Sequence, residues 1–478
     1  MQVDTSGDKN KKNMATTGPP HPLTTWLTPP IPPASPFPVT NLPYGIFSRA
    51  ADGVPCPGVA VGDDIILDLA ALTRGGLLPV EAGFLVGERD GGRLPAPTLN
   101  AFMASGPPTW DAVRAALTSL ICGDPPADTR LSADPGLRAA AVVHRGQVAK
   151  MHLPAAIGDF TDFYASREHA TNCGSLFRDP AAALPPNWLH LPIAYHGRAS
   201  TVGVSPAAVV RPLGQLPPRA PLGAPSFGPS ARLDFELEVG VFIGGAANAQ
   251  GTRVRLGDAP GRVFGFVLLN DWSARDVQRW EMAPLGPFAG KNFATTVSPW
   301  VVSPAALAPW AVPAPVQADP APPAYLREDD GDVGGRGMPR LTFDLPLTVR
   351  LGTAATAAAA PGPPGHLLAT SNLRHLYWTP AQMVAHHTAG GCALRPGDLV
   401  GTGTISGPGG VAGGGLGSLL EASLDGRAPV ALAGGEARTF LEDGDTVVLS
   451  GMTRATADGW PGVGFGECRG VVVGAPAP

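Results

Sequence analysis

Short apolar runs, separated by glycine, proline and aspartate, dominate the chain from about residue 41 onward. The runs at 44–47, 58–62 and 65–69 have the composition of β-strands and follow one another closely, which predicts a small barrel or sheet. Two stretches with helix-like apolar spacing come next, at 112–121 and 135–143. This pattern predicts a first domain that ends near residue 150.

A longer second part of the chain, from about residue 151, mixes further strands with polar clusters. Two of its segments predict helices, Asp162 to Phe177 and Ala274 to Glu281. Two segments rich in proline, glycine and alanine, 313–339 and 353–368, are interpreted as surface insertions that carry no chemistry. Strands are predicted at 233–243, 263–269, 341–351, 400–405 and 445–450.

The first 38 residues are polar and then dense in proline. They predict a disordered or extended arm, because proline removes backbone donors and the arm has little apolar surface to bury. The arm does not begin with a positively charged region leading into an apolar segment, so a secretory signal is not expected. No uncharged apolar run reaches the roughly 18 residues of a membrane helix. We expect a cytoplasmic protein, with organelle targeting by the arm left open.

Composition narrows the function classes. The chain has 478 residues, and its 62 glycines and 55 prolines favour turns and short strands over long helices. A net charge of −5 without a basic block makes nucleic acid and anionic membrane surfaces poor partners. Five widely spaced cysteines without a C-x-x-C pair argue against a disulfide framework and a thiolate zinc site. They favour a reducing compartment.

Alternating carboxylates mark the segment Asp234-Phe-Glu236-Leu-Glu238. In a continuous strand the three acidic side chains share one face, where their like charges repel unless a cation or water screens them. A site for Mg²⁺ or Ca²⁺ is one interpretation, since these cations prefer carboxylate oxygens. A solvated strand face is the other, and this segment alone does not decide between them.

A second polar cluster contains Asp162 and His169. On one helix the two residues, seven apart, return to the same face. Asp162 could then add a metal ligand, and His169 could act as a base, because an imidazole titrates near neutral pH. A lone histidine is more often structural, and that alternative stays open here.

The third polar cluster follows an apolar strand. Asp271 is predicted at a strand-to-helix junction, where a carboxylate can be presented at the edge of a sheet. Arg275 and Gln278 are three residues apart on one helical face and could donate together to an oxyanion. Lys291 stands in a turn-rich apolar stretch, where a buried ammonium needs a partner. The alternative is an N-capping aspartate with surface cations.

Other motifs were set aside. The segment Gly401-Thr-Gly403-Thr does not match G-x-G-x-x-G and precedes no helical pattern, so a dinucleotide site is not expected. His386 and His387 are adjacent and do not share a helix face, which argues against a zinc pair. No G-x-S-x-G elbow with a plausible triad order occurs.

Several of these segments resemble the fumarylacetoacetate hydrolase family, in order, from about residue 41 to 473. The resemblance implies an α+β, mainly β protein with a small SH3-like N-terminal barrel (39–150), a mixed β-roll catalytic domain (151–478) and a homodimer. It also implies hydrolysis of a carbon–carbon bond of 4-fumarylacetoacetate, a β-diketo acid, to fumarate and acetoacetate, the last step of tyrosine and phenylalanine breakdown. The matching motifs are 162–172, 187–198, 233–238, 270–278, 284–288, 394–398 and 403–408.

The resemblance further implies how the site residues divide. His169 matches the general base, and Glu421 matches the carboxylate that orients it. Residues that match ligands of Ca²⁺ or Mg²⁺ are Asp162, Glu236, Glu238 and Asp271, with Lys291 and Thr295 at a secondary Mg²⁺ site. Residues that match donors to the oxyanion and leaving group are Arg275, Gln278 and Lys291. Residues that match substrate contacts are Tyr164, Arg178, Tyr195, Gln278, Met282 and Thr404.

One departure bears on the substrate. Met282 stands where well-known members carry a tyrosine that touches substrate, and a thioether cannot donate a hydrogen bond as a phenol does. A related acylpyruvate hydrolase or decarboxylase is therefore a second candidate function. A non-catalytic binding or scaffold protein that uses the inherited fold and the proline-rich arm is a third.

Overall fold

The computed structural model describes residues 24–89, 92–218, 223–327, 340–353, 356 and 365–477. Residues 1–23 of the predicted arm, and parts of both predicted insertions, lie outside these ranges. Residues 24–38 are not a disordered arm, because Leu27 and Phe37 are buried and the Trp26 indole donates to the Leu120 carbonyl oxygen at 2.9 Å. Among the described residues, no helix is long and apolar enough to cross a membrane.

The N-terminal unit is built on a five-stranded antiparallel sheet in the order β6-β3-β2-β1-β7, with a separate hairpin of β4 and β5. Its assignment as an SH3-like barrel stays a prediction, as does the division into domains. The strands are β1 (Tyr44–Arg49), β2 (Pro55–Val61), β3 (Ile65–Asp68), β4 (Val86–Arg89), β5 (Gly92–Pro95), β6 (Val142–His144) and β7 (Val148–His152). The helices are α1 (Leu69–Arg74), α2 (Asn100–Ala104), α3 (Pro107–Ile121), α4 (Arg130–Ala133) and α5 (Pro135–Ala141).

The C-terminal unit contains two larger mixed sheets and several two-stranded ones. Its strands are β8 (Phe160–Phe163), β9 (Ala194–His196), β10 (Val202–Val204), β11 (Ala207–Val210), β12 (Leu213–Leu216), β13 (Ser226–Pro229), β14 (Leu233–Asp234), β15 (Leu237–Ile243), β16 (Val263–Asn270), β17 (Ser273–Ala274), β18 (Thr295–Val297), β19 (Ala311–Pro313), β20 (Leu341–Phe343), β21 (Pro346–Gly352), β22 (His366–Asn372), β23 (Leu399–Gly401), β24 (Val430–Ala431), β25 (Ala437–Arg438), β26 (Thr446–Met452) and β27 (Gly464–Val473). Its helices are α6 (Arg167–Phe177), α7 (Arg275–Glu281), α8 (Pro304–Leu307), α9 (Pro380–Thr388), α10 (Gly410–Gly413) and α11 (Leu419–Ala422).

The two larger sheets have the strand orders β10-β18-β16-β15-β23-β8-β9 and β11-β27-β26-β21-β22. In the first, β8 runs parallel to β23, which in turn is antiparallel to β15. This pairing leaves only β23 between β8 and β15, although these two strands are more than 70 residues apart in the chain. The prediction of an α+β, mainly β protein with mixed sheets is confirmed.

Strand β16 has an almost entirely apolar sequence because it is buried on both of its faces. Phe266 and Leu268 face a core shared with the second large sheet, whereas Val267 and Leu269 face a core shared with the N-terminal unit. A strand buried on both faces needs no polar alternation. Each fully buried side chain of this size contributes about 1.5–3 kcal/mol, so β16 fixes the frame on which the polar residues after it are placed.

Two predicted elements near the polar residues differ from the structure. Helix α6 begins at Arg167, after the N-cap Ser166, and Asp162 lies on β8 instead of the same helix. The predicted strand at 233–243 is interrupted after Asp234, so the three carboxylates of that segment do not share one face. All three are buried, which also excludes the solvated strand face.

Candidate active site

Four carboxylates from separate parts of the chain meet at one end of the seven-stranded sheet. Asp162 comes from β8, Glu236 from the break between β14 and β15, Glu238 from β15, and Asp271 follows β16. One oxygen from each lies within 4.8 Å of the others. All four residues are buried, with at most 5% of each residue exposed.

The backbone of β23 lets these carboxylates approach one another. A Cβ atom at Gly401 would lie 2.4 Å from Asp162 Oδ1 and 3.0 Å from Glu238 Oε2, so a larger residue would push the two acids apart. Gly403 has a φ of +75°, and its amide donates to the same two oxygens at 3.0 and 3.2 Å. The two glycines therefore serve close backbone approach to the carboxylates.

The acidic cluster carries more negative charge than its neighbours compensate. Burial and nearby carboxylates, Asp271 for Asp162 and Asp162 for Glu238, raise the pKa of both residues well above the ordinary range. Glu238 Oε1 is buried and has no hydrogen-bond partner among the described residues. A divalent cation with oxygen ligands would remove both penalties, so this donor set fits Ca²⁺ or Mg²⁺.

The opposite side of the cluster is neutralised by protein cations. Lys291 Nζ donates to Glu236 Oε2 at 2.8 Å and to Asp271 Oδ2 at 2.6 Å, and Arg275 Nη1 lies 2.9 Å from Glu236 Oε1. Burial alone would raise the pKa of Glu236, but Lys291 and Arg275 outweigh burial and lower it. Lys291 and Arg275 therefore favour the ionised form of Glu236, whereas neither of these two cations forms an ion pair with Asp162 or Glu238.

His169 and Glu421 form a second polar centre. His169 Nδ1 lies 2.7 Å from Glu421 Oε2, and both side chains are almost fully buried. The Glu421 carboxylate also accepts from Asn172 Nδ2 at 2.8 Å and from the hydroxyls of Ser406 and Ser418 at 2.9 and 3.0 Å. Because Nδ1 faces a carboxylate, the neutral ring carries its proton there and leaves the lone pair on Nε2.

The surroundings of the His169–Glu421 pair shift the pKa of both residues. Burial would raise the pKa of Glu421, but His169 and the surrounding donors lower it. Burial would lower the pKa of His169, but the Cys173 sulfur and Glu421 raise it well above its ordinary value. Cys173 Sγ lies 3.6 Å from His169 Nε2, and the Tyr164 ring packs edge-on against the imidazole at a centroid distance of 5.4 Å.

Helix α7 presents the predicted oxyanion donors. Arg275 uses Nε and Nη1 on carboxylates, while its Nη2 is buried and has no partner within the described residues. Gln278, one turn later, carries a buried side-chain oxygen that likewise has none. All three contacts of Lys291 Nζ go to Glu236 and Asp271, so Arg275 is the cation with a free donor.

The remaining predicted residues fall into two groups. Tyr195 and Thr295 donate to the Asp271 carboxylate, and Thr404 donates to Glu236 at 3.0 Å, so these three surround the acidic cluster. Asp271 and Glu236 outweigh burial and raise the pKa of Lys291, which favours an ammonium that offers no lone pair to a cation, and the secondary Mg²⁺ site at Lys291 stays a prediction. Ligation by Thr295 stays a prediction.

Arg178 and Met282 lie at the periphery. Arg178 follows α6, is exposed, and donates from Nε and Nη2 to the Ala183 carbonyl oxygen. Met282 is the C-cap of α7 and is 50% exposed. The structure therefore places both outside the buried charge network, and their substrate contacts stay predictions.

Several residues of the site were not predicted from the sequence. The sequence pattern indicates Asp234 only as one of three carboxylates at a possible metal site, whereas in the structure it accepts a hydrogen bond from Arg275. The other four are single polar residues that lie one helical turn from His169 or close in sequence to Gly403 and Glu421, and that proximity is the signal that could have pointed to them. These residues are Asn172, Cys173, Ser406 and Ser418.

The chain is similar to known proteins along most of its length. Residues 40–154 match the family model described as fumarylacetoacetase N-terminal, and residues 159–473 match fumarylacetoacetate (FAA) hydrolase C-terminal. The chain is 47% identical to the fumarylacetoacetase of Caenorhabditis elegans over 93% of this chain and 98% of that protein. It is 45% identical to the human fumarylacetoacetase (93% and 98%) and 42% identical to that of Arabidopsis thaliana (92% and 96%).

Proposed function

The chain belongs to the fumarylacetoacetate hydrolase family, and on that premise we propose that it hydrolyses 4-fumarylacetoacetate to fumarate and acetoacetate in tyrosine breakdown. The observation that carries the proposal is the joint presence of two buried centres. One is the carboxylate group of Asp162, Glu236, Glu238 and Asp271, and the other is the His169–Glu421 pair.

The His169–Glu421 pair acts on water. With its Nδ1 proton held by Glu421, His169 takes a proton from water at Nε2, and the water oxygen forms a bond to the substrate carbonyl carbon. The negative charge that develops on the carbonyl oxygen is met by Arg275 Nη2, which has no other partner among the described residues. When bound, a divalent cation supplies Lewis-acid polarisation of substrate oxygens.

Cleavage then breaks the carbon–carbon bond of the tetrahedral intermediate. The electron pair of that bond leaves with the acetoacetate carbon, and the imidazolium of His169 returns its proton to that fragment. Fumarate and acetoacetate result, with one water consumed. Lys291 holds the Glu236 and Asp271 carboxylates in place throughout, because its Nζ donates to both of them and to the Asp271 carbonyl oxygen.

The test uses purified full-length protein, fumarylacetoacetate and either Ca²⁺ or Mg²⁺, with fumarate measured as product. We expect turnover that thorough chelation abolishes and that the same cation restores. His169→Ala should lower kcat by about 10³-fold, within the range for loss of a general base. His386→Ala is the matched control, because that histidine bonds Tyr325 and contacts none of the site residues named above.

Two results would contradict the proposal: turnover that survives chelation, or an unchanged kcat in His169→Ala. The same assay with acylpyruvates separates the second candidate function. That candidate is favoured by the exposed thioether of Met282 at the rim of the site. A higher kcat/KM on acylpyruvates would assign the chain to it.

We further propose a homodimer. Large apolar side chains are exposed at the C-terminal end of α7 and in the loop after it, which includes Leu285 at 96% and Phe288 at 72% exposed. Apolar groups of this size, close together on a surface, are typical of contact surfaces. Light scattering with size-exclusion chromatography measures the mass, and a single chain mass at micromolar concentration would refute the dimer.

A further inference from the structure

Asp234 lies between the two centres of the site and bonds to both. Its carboxylate is completely buried. It accepts a hydrogen bond from Arg275 Nε at 2.9 Å, and from the backbone amides of Leu419 and Leu420 at 2.8 and 2.9 Å. It is not one of the four clustered carboxylates, and the mechanism above assigns it no step.

On one side, Asp234 sets the orientation of the Arg275 guanidinium. Asp234 binds Nε and Glu236 binds Nη1, so two of the three nitrogens are fixed on different carboxylates. A planar guanidinium held at two nitrogens has its third direction determined. The free Nη2 is the donor that remains for substrate, and Asp234 therefore aims it.

On the other side, Asp234 sets the position of helix α11. The first three amides of this four-residue helix have no partner inside it. Asp234 accepts from the first two, and the Ser418 hydroxyl accepts from the third, that of Glu421. Because α11 is too short to hold itself in place, these side-chain bonds locate Glu421, which in turn holds His169.

We propose that Asp234 is a positioning residue that couples the oxyanion donor Arg275 to the base pair His169–Glu421. The inference rests on the proposed hydrolysis. It predicts that neutralising Asp234 lowers kcat much more than KM, because the aimed donor and the oriented base act on the transition state. Positional errors of about 1 Å at such groups cost about 10²-fold in rate.

The test variant is Asp234→Asn, which keeps the shape but turns an NH₂ group toward donors. We expect kcat to fall by about 10²-fold with KM changed less than threefold. The matched control is Asp445→Asn. Asp445 is also a buried aspartate that accepts from an arginine Nε, that of Arg438 at 2.9 Å, and from a backbone amide, but it lies in another sheet region. Its kcat should stay within twofold.

A double-mutant cycle with Arg275→Gln separates coupling from general damage. If Asp234 acts through Arg275, the loss caused by Asp234→Asn is at least threefold smaller in the Arg275→Gln background. Calorimetric titration with Ca²⁺ tests the neighbouring carboxylates independently of turnover, and the affinity should change less than threefold. If Asp234→Asn does not fold, Asp234→Glu, which retains the charge, is taken through the same cycle.

Three results would overturn the inference: equal kcat losses in Asp234→Asn and Asp445→Asn, fully multiplicative losses with Arg275→Gln, or a fall in Ca²⁺ affinity that matches the fall in kcat. The wild-type protein distinguishes this failure from failure of the proposed function. Absence of fumarate from the wild type contradicts the function, whereas wild-type turnover with an unremarkable Asp234→Asn contradicts only the coupling.

Discussion

Glu421 and Glu238 are the same residue type at the same depth, yet their surroundings are opposite. Glu421 receives hydrogen bonds from His169, Asn172 and two serine hydroxyls. Glu238 receives one amide bond, from Gly403, at its Oε2, and its Oε1 receives none among the described residues. Burial acts on both, but the pKa of Glu421 is lowered and that of Glu238 is raised.

The difference shows how the surroundings of a buried carboxylate indicate its task. A carboxylate whose lone pairs are all used is rigid, and it serves to orient what it bonds. A carboxylate left beside other carboxylates is a cost to the folded chain, because its charge is neither solvated nor paired. The protein tolerates that cost where a cation can offset it, so the unsatisfied acid is the one suited to bind a ligand.

The largest expected effect on kcat comes from neutralising Glu421, the carboxylate whose oxygens are fully hydrogen-bonded. Glu421→Gln should lower kcat by about 10⁴-fold, by analogy with the loss seen when the orienting acid of a catalytic triad is made neutral. Burial lowers the pKa of His169, but Cys173 and Glu421 outweigh burial and raise it. Removing the charge of Glu421 therefore lowers that pKa. Because the base must be unprotonated, the acid limb of the pH–kcat/KM profile should move to lower pH. A smaller kcat with an unmoved limb would contradict the assignment.

Glu238, whose Oε1 has no hydrogen-bond partner among the described residues, should respond differently: its neutralisation should stabilise the folded protein and weaken cation binding. In chelator, Glu238→Gln should raise the free energy of unfolding by about 1 kcal/mol, because it removes an unpaired buried charge. It should also weaken Ca²⁺ binding by more than tenfold. Urea unfolding in chelator and calorimetric titration measure the two quantities.

Glu236→Gln is the matched control for Glu238→Gln. Glu236 belongs to the same cluster but is paired with Lys291 and Arg275, so its neutralisation removes one carboxylate partner from each of two buried cations, which keep only Asp271 and Asp234. It should destabilise the protein in chelator by about 3 kcal/mol. If both variants shifted stability in the same direction, the contrast between paired and unpaired carboxylates would not hold.

The residues of this site could be predicted from the sequence more accurately than their positions in the fold. The four clustered carboxylates and the His169–Glu421 pair were expected from the family resemblance, and the members of each set lie together. Their placement on a shared helix or a continuous strand was wrong. Local periodicity assigned Asp162 to α6, but pairing of β8 with β23 placed it on a strand, and that pairing is a long-range contact. Hydrogen bonds such as that of Asp234 to the amides of α11 span about 185 residues and leave no local pattern.

The smallest expected effect tests whether the donors around Glu421 are redundant. Asn172→Ala removes the amide that donates to Oε1, but the Ser406 hydroxyl lies 2.9 Å from both Oε1 and Oε2 and remains. We expect kcat to fall only about threefold, because the remaining hydroxyl compensates for most of the roughly 1.5–3 kcal/mol that a hydrogen bond to a charged group contributes. Ser406→Ala should cost more, because the same hydroxyl also accepts from the Gly417 amide, which would be left buried without a partner. Steady-state kinetics of the two variants decide the order. If Asn172→Ala were the more damaging, Glu421 would depend on a single donor, and its resemblance to the sparsely bonded Glu238 would be closer than the structure indicates.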